Sequence, residues 1–122
     1  MPAQTEPNSG IFHGWDPGEI GWDVGMESNL LKIGRVGFHL SILDRDQTDP
    51  SLLTPADGDR YIVAAAAVGD WLGQDGNVAI WDDTGSAWVF YTPAQGWLAY
   101  IEDEAVLSAY KTGTGWSTGV AI

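Results

Sequence analysis

The second half of the chain alternates short apolar segments with turns rich in Gly, Asp and Pro, and this pattern most constrains the fold. Such regular spacing of short strands and turns is typical of antiparallel hairpins. The predicted strands cover residues 60–66, 77–81, 87–91, 97–101 and 105–110, and a last hairpin closes on Trp116. Sixteen Gly and six Pro in 122 residues agree with many turns. The sequence therefore predicts a mainly β fold, an antiparallel meander of short hairpins with one short N-terminal helix.

The predicted helix covers residues 22–33. Its apolar face would consist of four residues at helical spacing: Trp22, Met26, Leu30 and Ile33. Asp23 is placed to cap the start of the helix, and Gly34 is a typical stop signal. Residues 36–42 then alternate strictly between apolar and other side chains, which predicts a strand.

Three segments are expected from these patterns. Residues 1–10 are polar and lack periodicity, which indicates a flexible arm. Residues 11–45 hold an aromatic loop, the helix and the first strand, and we interpret them as an N-terminal docking segment. Residues 46–122 would form the β-meander domain.

The charge balance limits the possible partners. Seventeen acidic against five basic residues give a formal net charge of −12. Such a surface repels nucleic-acid phosphates and anionic lipid headgroups, so neither nucleic-acid binding nor membrane insertion is expected. The first ten residues lack the basic and apolar regions of a signal peptide, which predicts synthesis in the cytoplasm of the host cell. Cysteine is absent, which removes disulfides and zinc–thiolate sites from consideration.

No catalytic motif emerges from the sequence. The two histidines, His13 and His39, lie in different segments, and no serine-nucleophile motif or glycine-rich nucleotide loop is present. Most carboxylates lie at turns, where Asp satisfies local backbone groups. We therefore expect no enzyme activity and no cofactor.

The acidic segment that begins at Asp44 partly resembles a calcium-binding loop. The spacing Asp44-x-Asp46-x-x-Asp49 offers oxygen ligands, but an EF-hand loop requires Gly at position 6 and Glu at position 12. Asp49 and Pro55 occupy these two positions. The sequence therefore predicts no metal site, and turn formation is the favoured role of these acids.

The tryptophans are the remaining candidates for a binding role. Seven Trp residues exceed what one small core readily buries. Some of them are expected at a protein interface or as a platform for a sugar ring, since Trp is enriched in binding hot spots. The candidates lie in predicted loops or at strand ends: Trp15, Trp71, Trp97 and Trp116.

Several stretches resemble an uncharacterised family of phages, prophages and gene-transfer-agent particles. Residues 21–30 fit the pattern Gly-Trp-x-x-Gly-Met-x-x-Asn-Leu, and residues 90–100 fit Phe-Tyr-Thr-Pro-x-x-Gly-Trp-x-Ala-Tyr. The resemblance also includes Pro-Ala-Asp-Gly-Asp-Arg-Tyr-Ile-Val at residues 55–63, and it extends over residues 11–116. Members of this family are often described as tail or tail-fibre proteins.

The resemblance implies a structural protein of a phage or phage-like virion, acting as a tail-fibre or tail-associated attachment or adaptor module. It also implies other virion proteins of the tail, baseplate or fibre as partners, and a homotrimer or another homo-oligomer. The candidate interface or glycan-binding residues are Phe12, Trp15, Trp22, Trp71 and Trp97. The alternatives are a carbohydrate-binding module for a host surface glycan, with Trp71 or Trp97 as the platform, and a capsid decoration or head-fibre protein.

Overall fold

A computed structural model describes residues 4–37 and 39–122 of the chain. They form two compact units, divided between His39 and Leu40, which we call unit 1 and unit 2. The prediction of a mainly β protein with one N-terminal helix is confirmed. Within these two described ranges, no helix has the length and hydropathy needed to cross a membrane.

Unit 1 begins with a small hairpin. Strand β1 (Gln4–Thr5) pairs antiparallel with β2 (Phe12–His13). Between them, the Glu6 carboxylate accepts hydrogen bonds from the backbone N–H of Asn8 at 3.1 Å and of Ser9 at 2.6 Å. The Ser9 hydroxyl also donates to this carboxylate at 2.6 Å, and that bond, followed by the two backbone bonds, holds the pKa of Glu6 below its usual value. Residues 4–10 of the expected arm are therefore part of a hydrogen-bonded hairpin.

The helix of unit 1, α1 (Trp22–Lys32), starts where the sequence predicts but is capped differently. Its N-cap is Gly21, whose φ of 92° favours glycine, and no side chain caps the helix. The helix also runs past Gly34, because a π-helical turn (Ile33–Gly37) follows without a break. The expected stop at Gly34 was therefore wrong.

The strand predicted over residues 36–42 is consequently much shorter. Only β3 (Ser41–Ile42) forms in this range, while Phe38 lies outside the described residues. Leu40 and Ile42 are buried, as the alternation predicted. The prediction failed for residues 36 and 37 because the helical turn continues through them. The pairing of β3 with its neighbour involves only Ser41 and Ile42, which limits the strand to two residues.

Unit 2 contains two sheets. The strands that follow β3 are β4 (Arg60–Ile62), β5 (Val78–Asp82), β6 (Ala87–Tyr91), β7 (Leu98–Ile101), β8 (Val106–Lys111), β9 (Gly115–Trp116) and β10 (Val120–Ala121). The first sheet has the order β4-β5-β6, and the second has the order β10-β8-β7-β3, with β9 also paired to β8. The predicted single meander is thus divided, and β3 joins β7 in parallel, unlike the antiparallel pairs.

The end of β4 shows why a predicted seven-residue strand became three residues. Pairing continues to Val63, whose N–H donates to the Asn77 carbonyl oxygen at 3.0 Å. The chain then turns, since Ala66 has a φ of 63° in the left-handed region. The Asp75 carboxylate accepts hydrogen bonds from the N–H of Ala66 at 3.0 Å and of Ala67 at 3.3 Å, which holds this turn in place.

The core of unit 2 has an aromatic part and an aliphatic part. In the first, Trp71 is fully buried with Val63 and Ala79, and Trp88 packs against them. Ile42 and Ile101, paired between β3 and β7, are fully buried in the second sheet. These side chains supply the apolar burial that drives folding of a domain of this size.

A single arginine ties the segment between β9 and β10 to the rest of unit 2. The Arg45 guanidinium binds the Glu104 carboxylate through two bonds, of 2.8 and 2.7 Å. It also donates to the carbonyl oxygens of Ser117 at 2.7 Å and Thr118 at 2.8 Å. The planar fork of arginine suits such simultaneous contacts, so Arg45 closes the edge where β8 changes partner from β9 to β10.

Candidate functional site

The surface of α1 is the first candidate site, because the hairpin covers only part of the helix and leaves the rest exposed. Trp15 lies directly over Gly25, where even an added methyl group would clash. The Asn29 side chain accepts a hydrogen bond from the Phe12 N–H at 2.8 Å and donates one to the Phe12 carbonyl oxygen at 2.9 Å. Asn29 is the one buried residue among the described residues of α1. The helix therefore buries a polar side chain, while its large apolar side chains are exposed to solvent.

Apolar side chains on two sides of α1 are exposed. We call the following residues the exposed helix surface: Trp22, Val24, Met26, Leu30 and Leu31. At about 100° per residue, Trp22, Met26 and Leu30 share one side of the helix, while Val24 and Leu31 lie on the other. Exposed fractions of 71% for Val24 and 59% for Leu30 show that both sides are accessible. A helix with apolar residues on several sides is typical of one buried by other elements.

The three predicted site residues of unit 1 have different surroundings. Trp22 is 54% exposed and belongs to the exposed helix surface. Trp15 is half-buried, because its ring packs on α1. Phe12 is also half-buried, and its backbone is held by Asn29. Of these three, Trp22 alone is more than half exposed.

The two predicted site residues of unit 2 lie apart from the helix in the sequence and differ in burial. Trp71 has no exposed surface, because the 3₁₀ turn Gly69–Trp71 directs it into the aromatic part of the core. Trp71 is therefore a core residue and offers no ring face to a ligand. The expectation that its ring serves as a sugar platform was wrong. Trp97 is half-buried immediately before β7, and its carbonyl oxygen accepts a hydrogen bond from the Tyr110 N–H at 2.9 Å.

Three carboxylates of unit 2 meet at the end of β3. Oxygens of Asp44, Asp46 and Asp103 lie within 4.8 Å of one another. Burial raises the pKa of Asp103, and the negative charge of Asp44 raises it further. The cluster thus contains two acids of the sequence motif, Asp44 and Asp46, together with Asp103 instead of Asp49. Three carboxylates supply fewer oxygens than the roughly six to eight that calcium takes, so a cation held here would need water to complete its shell.

A cleft in unit 2 combines aromatic, proline and acidic side chains. It has a volume of about 260 Å³, and the residues that give it its chemistry are Asp49, Pro50, Pro55, Asp70, Trp81 and Trp88. Trp81 on β5 lies opposite Trp88 on β6, with ring centroids 5.3 Å apart. The Trp81 indole N–H donates to the Asp83 carboxylate at 3.0 Å, which orients this ring.

No pattern in the sequence indicated that these residues form a cleft. The available signal was the position of Trp81 and Trp88 on either side of a turn that contains Asp and Gly. Asp49 and Pro50 come from the connection before β4, and Asp70 comes from the connection after it. Only folding brings these connections to the same side of the hairpin, so no local pattern could reveal the cleft.

Comparison with known proteins places the chain in a family. The family described as "Protein of unknown function (DUF2793)" matches residues 28–117. This range is most of the chain. The protein belongs to this family. The matched DUF2793 region begins within α1 and contains strands β3 to β9. No curated protein and no solved structure matches the chain.

Proposed function

We propose that this DUF2793 protein is a structural component of a phage or phage-like virion, where it serves as an attachment or adaptor module of the tail or tail fibre. In this role unit 1 docks against neighbouring chains, and unit 2 forms the folded body. The protein would be made in the host cytoplasm and would reach its place by assembly on the particle.

The observation that carries this proposal is the exposed helix surface. Water-exposed apolar patches on a folded protein mark contact surfaces, since burying them against a partner is favourable. Exposed fractions of 54% for Trp22 and 59% for Leu30 leave much apolar area to bury. Trp in particular supplies a large part of the binding energy at protein interfaces.

The two sides of α1 favour further copies of the same chain as the occupants. In a closed ring of three or more subunits, each subunit contacts one neighbour through one patch and the next neighbour through a different patch. The side with Leu30 and the side with Leu31 provide two such patches on one helix. We therefore propose a homo-oligomer, most simply a trimer, joined through α1.

The acidic surface fits this role. A net charge of −12 keeps free subunits soluble and discourages random association. Charge of one sign also steers a subunit towards a cationic partner surface. The remaining contacts of the module with tail, baseplate or fibre proteins would therefore involve basic surfaces on those proteins.

Labelling of particles tests the virion role. Particles purified from the strain that encodes the protein would be examined by electron microscopy with a gold-labelled antibody. We expect label at the tail. Label on the head would instead support a capsid decoration role, and particles without label would contradict the proposal.

A matched pair of variants links the virion role to the helix. Leu30 and Leu98 are 59% and 57% exposed, and they lie in unit 1 and unit 2 respectively. We expect Leu30→Glu to abolish incorporation into particles, because a carboxylate cannot be buried in the interface without a large cost. Leu98→Glu should be incorporated normally. Equal incorporation of both variants would show that α1 is not the docking element.

A further inference from the structure

The cleft between Trp81, Trp88 and the connections around β4 has the features of a small-ligand site. We propose that it binds a single neutral or amino-sugar ring of a glycan. The cleft lies in unit 2, whereas the exposed helix surface belongs to unit 1. This inference therefore does not depend on the proposed assembly role, and either one can fail without the other.

The aromatic wall of the cleft is fixed before any ligand arrives. Trp88 is supported by Trp71, at a ring-centroid distance of 5.1 Å, and by Tyr61, at 5.8 Å. Trp81 meets Trp88 nearly edge-to-face, with an interplanar angle of 67°, and its N–H is held by Asp83. Rings held in this way lose little conformational freedom on binding, so they form a ready surface for the C–H face of a sugar.

The polar part of the cleft consists of carboxylates that can accept hydrogen bonds from sugar hydroxyl groups. Oδ1 of Asp49 accepts hydrogen bonds from the Ser51 N–H at 3.0 Å and the Ser51 hydroxyl at 2.7 Å. These bonds lower the pKa of Asp49, so its carboxylate is ionised and oriented at neutral pH. A carboxylate has room for about four donors, and hydroxyl-to-carboxylate bonds are among the stronger hydrogen bonds.

Size and charge select among possible ligands. A volume of about 260 Å³ is below the range of roughly 300–1,000 Å³ typical of sites for drug-sized ligands, so the cleft suits one sugar ring. Asp49, Asp70 and the net charge of −12 repel uronic and sialic acids. Neutral hexoses fit these conditions, as do amino sugars, whose ammonium group would be attracted to the carboxylates. A proline-rich peptide, which also favours aromatic grooves, needs a longer surface than this cleft offers.

The indole N–H signals of the tryptophans provide a direct test. The full chain would be titrated with methyl glycosides of glucose, galactose, mannose and N-acetylglucosamine, with glucosamine and with glucuronic acid, and followed by nuclear magnetic resonance. We expect at least one neutral or amino sugar to shift the signals of Trp81 and Trp88 in a saturable way. Trp97 and Trp116 should not shift, and glucuronic acid should have no effect.

Variants then locate the binding. Trp81→Ala should weaken the best sugar by about tenfold or more, while Trp81→Phe should retain part of the affinity. Asp70→Asn is a second test that leaves the aromatic wall intact. It should lower the affinity for an amino sugar more than the affinity for a neutral sugar. Trp97→Phe changes the alternative sugar platform, which does not line the cleft, so this variant should keep its affinity if the cleft is the binding site.

Three results would overturn the inference. The first is the absence of a saturable shift with every sugar of the panel. The second is a loss of affinity in Trp97→Phe as large as in Trp81→Ala. The third is a shift of Trp81 and Trp88 by a proline-rich peptide that is as large as the shift caused by any sugar.

Discussion

Leu30 in unit 1 and Leu98 in unit 2 are almost equally exposed, yet their surroundings differ. Leu98 lies on the outer face of β7, where the alternate residues Ala99 and Ile101 point inwards and are buried. Leu30 lies on a helix whose one buried residue, among those described, is Asn29. Exposure of a single leucine therefore says little, whereas a helix that buries none of its described apolar side chains supports the proposed contact surface.

The two units also differ in what holds them together. Unit 2 combines fully buried aromatic and aliphatic side chains with paired strands of up to six residues. In unit 1, two-residue strands are held by the turn at Glu6 and by the contacts of Asn29 and Trp15 with their neighbours. Short strands with few buried apolar contacts are typical of regions that open locally, so we expect unit 1 to be the less stable unit when no partner is bound.

The largest effect is expected from emptying the core of unit 2. Trp71→Ala should lower the free energy of unfolding by about 3–5 kcal/mol, because it leaves a large cavity among Val63, Ala79 and Trp88. Trp22→Ala removes the same side chain from an exposed position and should change stability by less than about 0.5 kcal/mol. Urea unfolding measures both. The comparison is best made in the Leu30→Glu background, which is expected to be monomeric; equal losses would contradict the division into core and contact surface.

A smaller loss is expected from Arg45, which holds the edge of unit 2. Arg45→Met should cost about 2–3 kcal/mol, because Glu104 and the carbonyl oxygens of Ser117 and Thr118 lose a charged donor. Arg45→Lys keeps the charge but not the planar fork, so its loss should be intermediate. Thermal unfolding measures the difference. Equal stability of the lysine variant and the unmodified protein would show that charge alone is sufficient.

Two glycines of unit 1 offer a matched test of its packing. Gly25→Ala should destabilise unit 1 by about 1–3 kcal/mol, because the new methyl group would displace the Trp15 ring. Gly34→Ala meets open space and should be neutral or stabilising by up to about 1 kcal/mol, since Ala favours helix. Hydrogen exchange of the α1 amide groups reports the change locally. Similar exchange in both variants would show that Trp15 does not hold the helix.

The smallest effect concerns pH. The hydrogen bonds from Arg45 lower the pKa of Glu104 in the folded protein. A lowered carboxylate pKa contributes stability that is present above the usual value and is lost as pH falls through the folded value. Glu104→Gln should therefore reduce the loss of stability on acidification from neutral pH, measured by urea unfolding at several pH values. Asp103 acts in the opposite direction, because its raised pKa makes its ionised form unfavourable and acidification relieves that cost.

The local patterns of the sequence were sufficient for part of the fold. Strand β6 has the predicted bounds, since alternation and flanking turn residues are local signals. The start of α1 at Trp22 was predicted for the same reason. The parallel pairing of Ser41 with Tyr100 was not predicted, because it joins residues far apart in the sequence.

The sites were harder to predict than the strands. Helical spacing placed Trp22, Met26 and Leu30 on one face of α1, but spacing does not reveal which residues the hairpin covers. The Gly residues around Trp71 predict a turn, and the 3₁₀ turn that forms there directs the Trp71 ring into the core, which the local pattern does not reveal. The cleft formed by Asp49, Asp70 and Trp81 depends on contacts between separate connections.

The central claim is that the exposed helix surface joins copies of this chain, and the mass in solution tests it most directly. Light scattering on a size-exclusion column would be applied to the unmodified protein, to Leu30→Glu and to Leu98→Glu. We expect the mass of three or more copies of the 13.1 kDa chain for the unmodified protein and for Leu98→Glu, and the mass of one copy for Leu30→Glu. A single-copy mass for the unmodified protein at every concentration would contradict the account, as would an unchanged oligomer in Leu30→Glu.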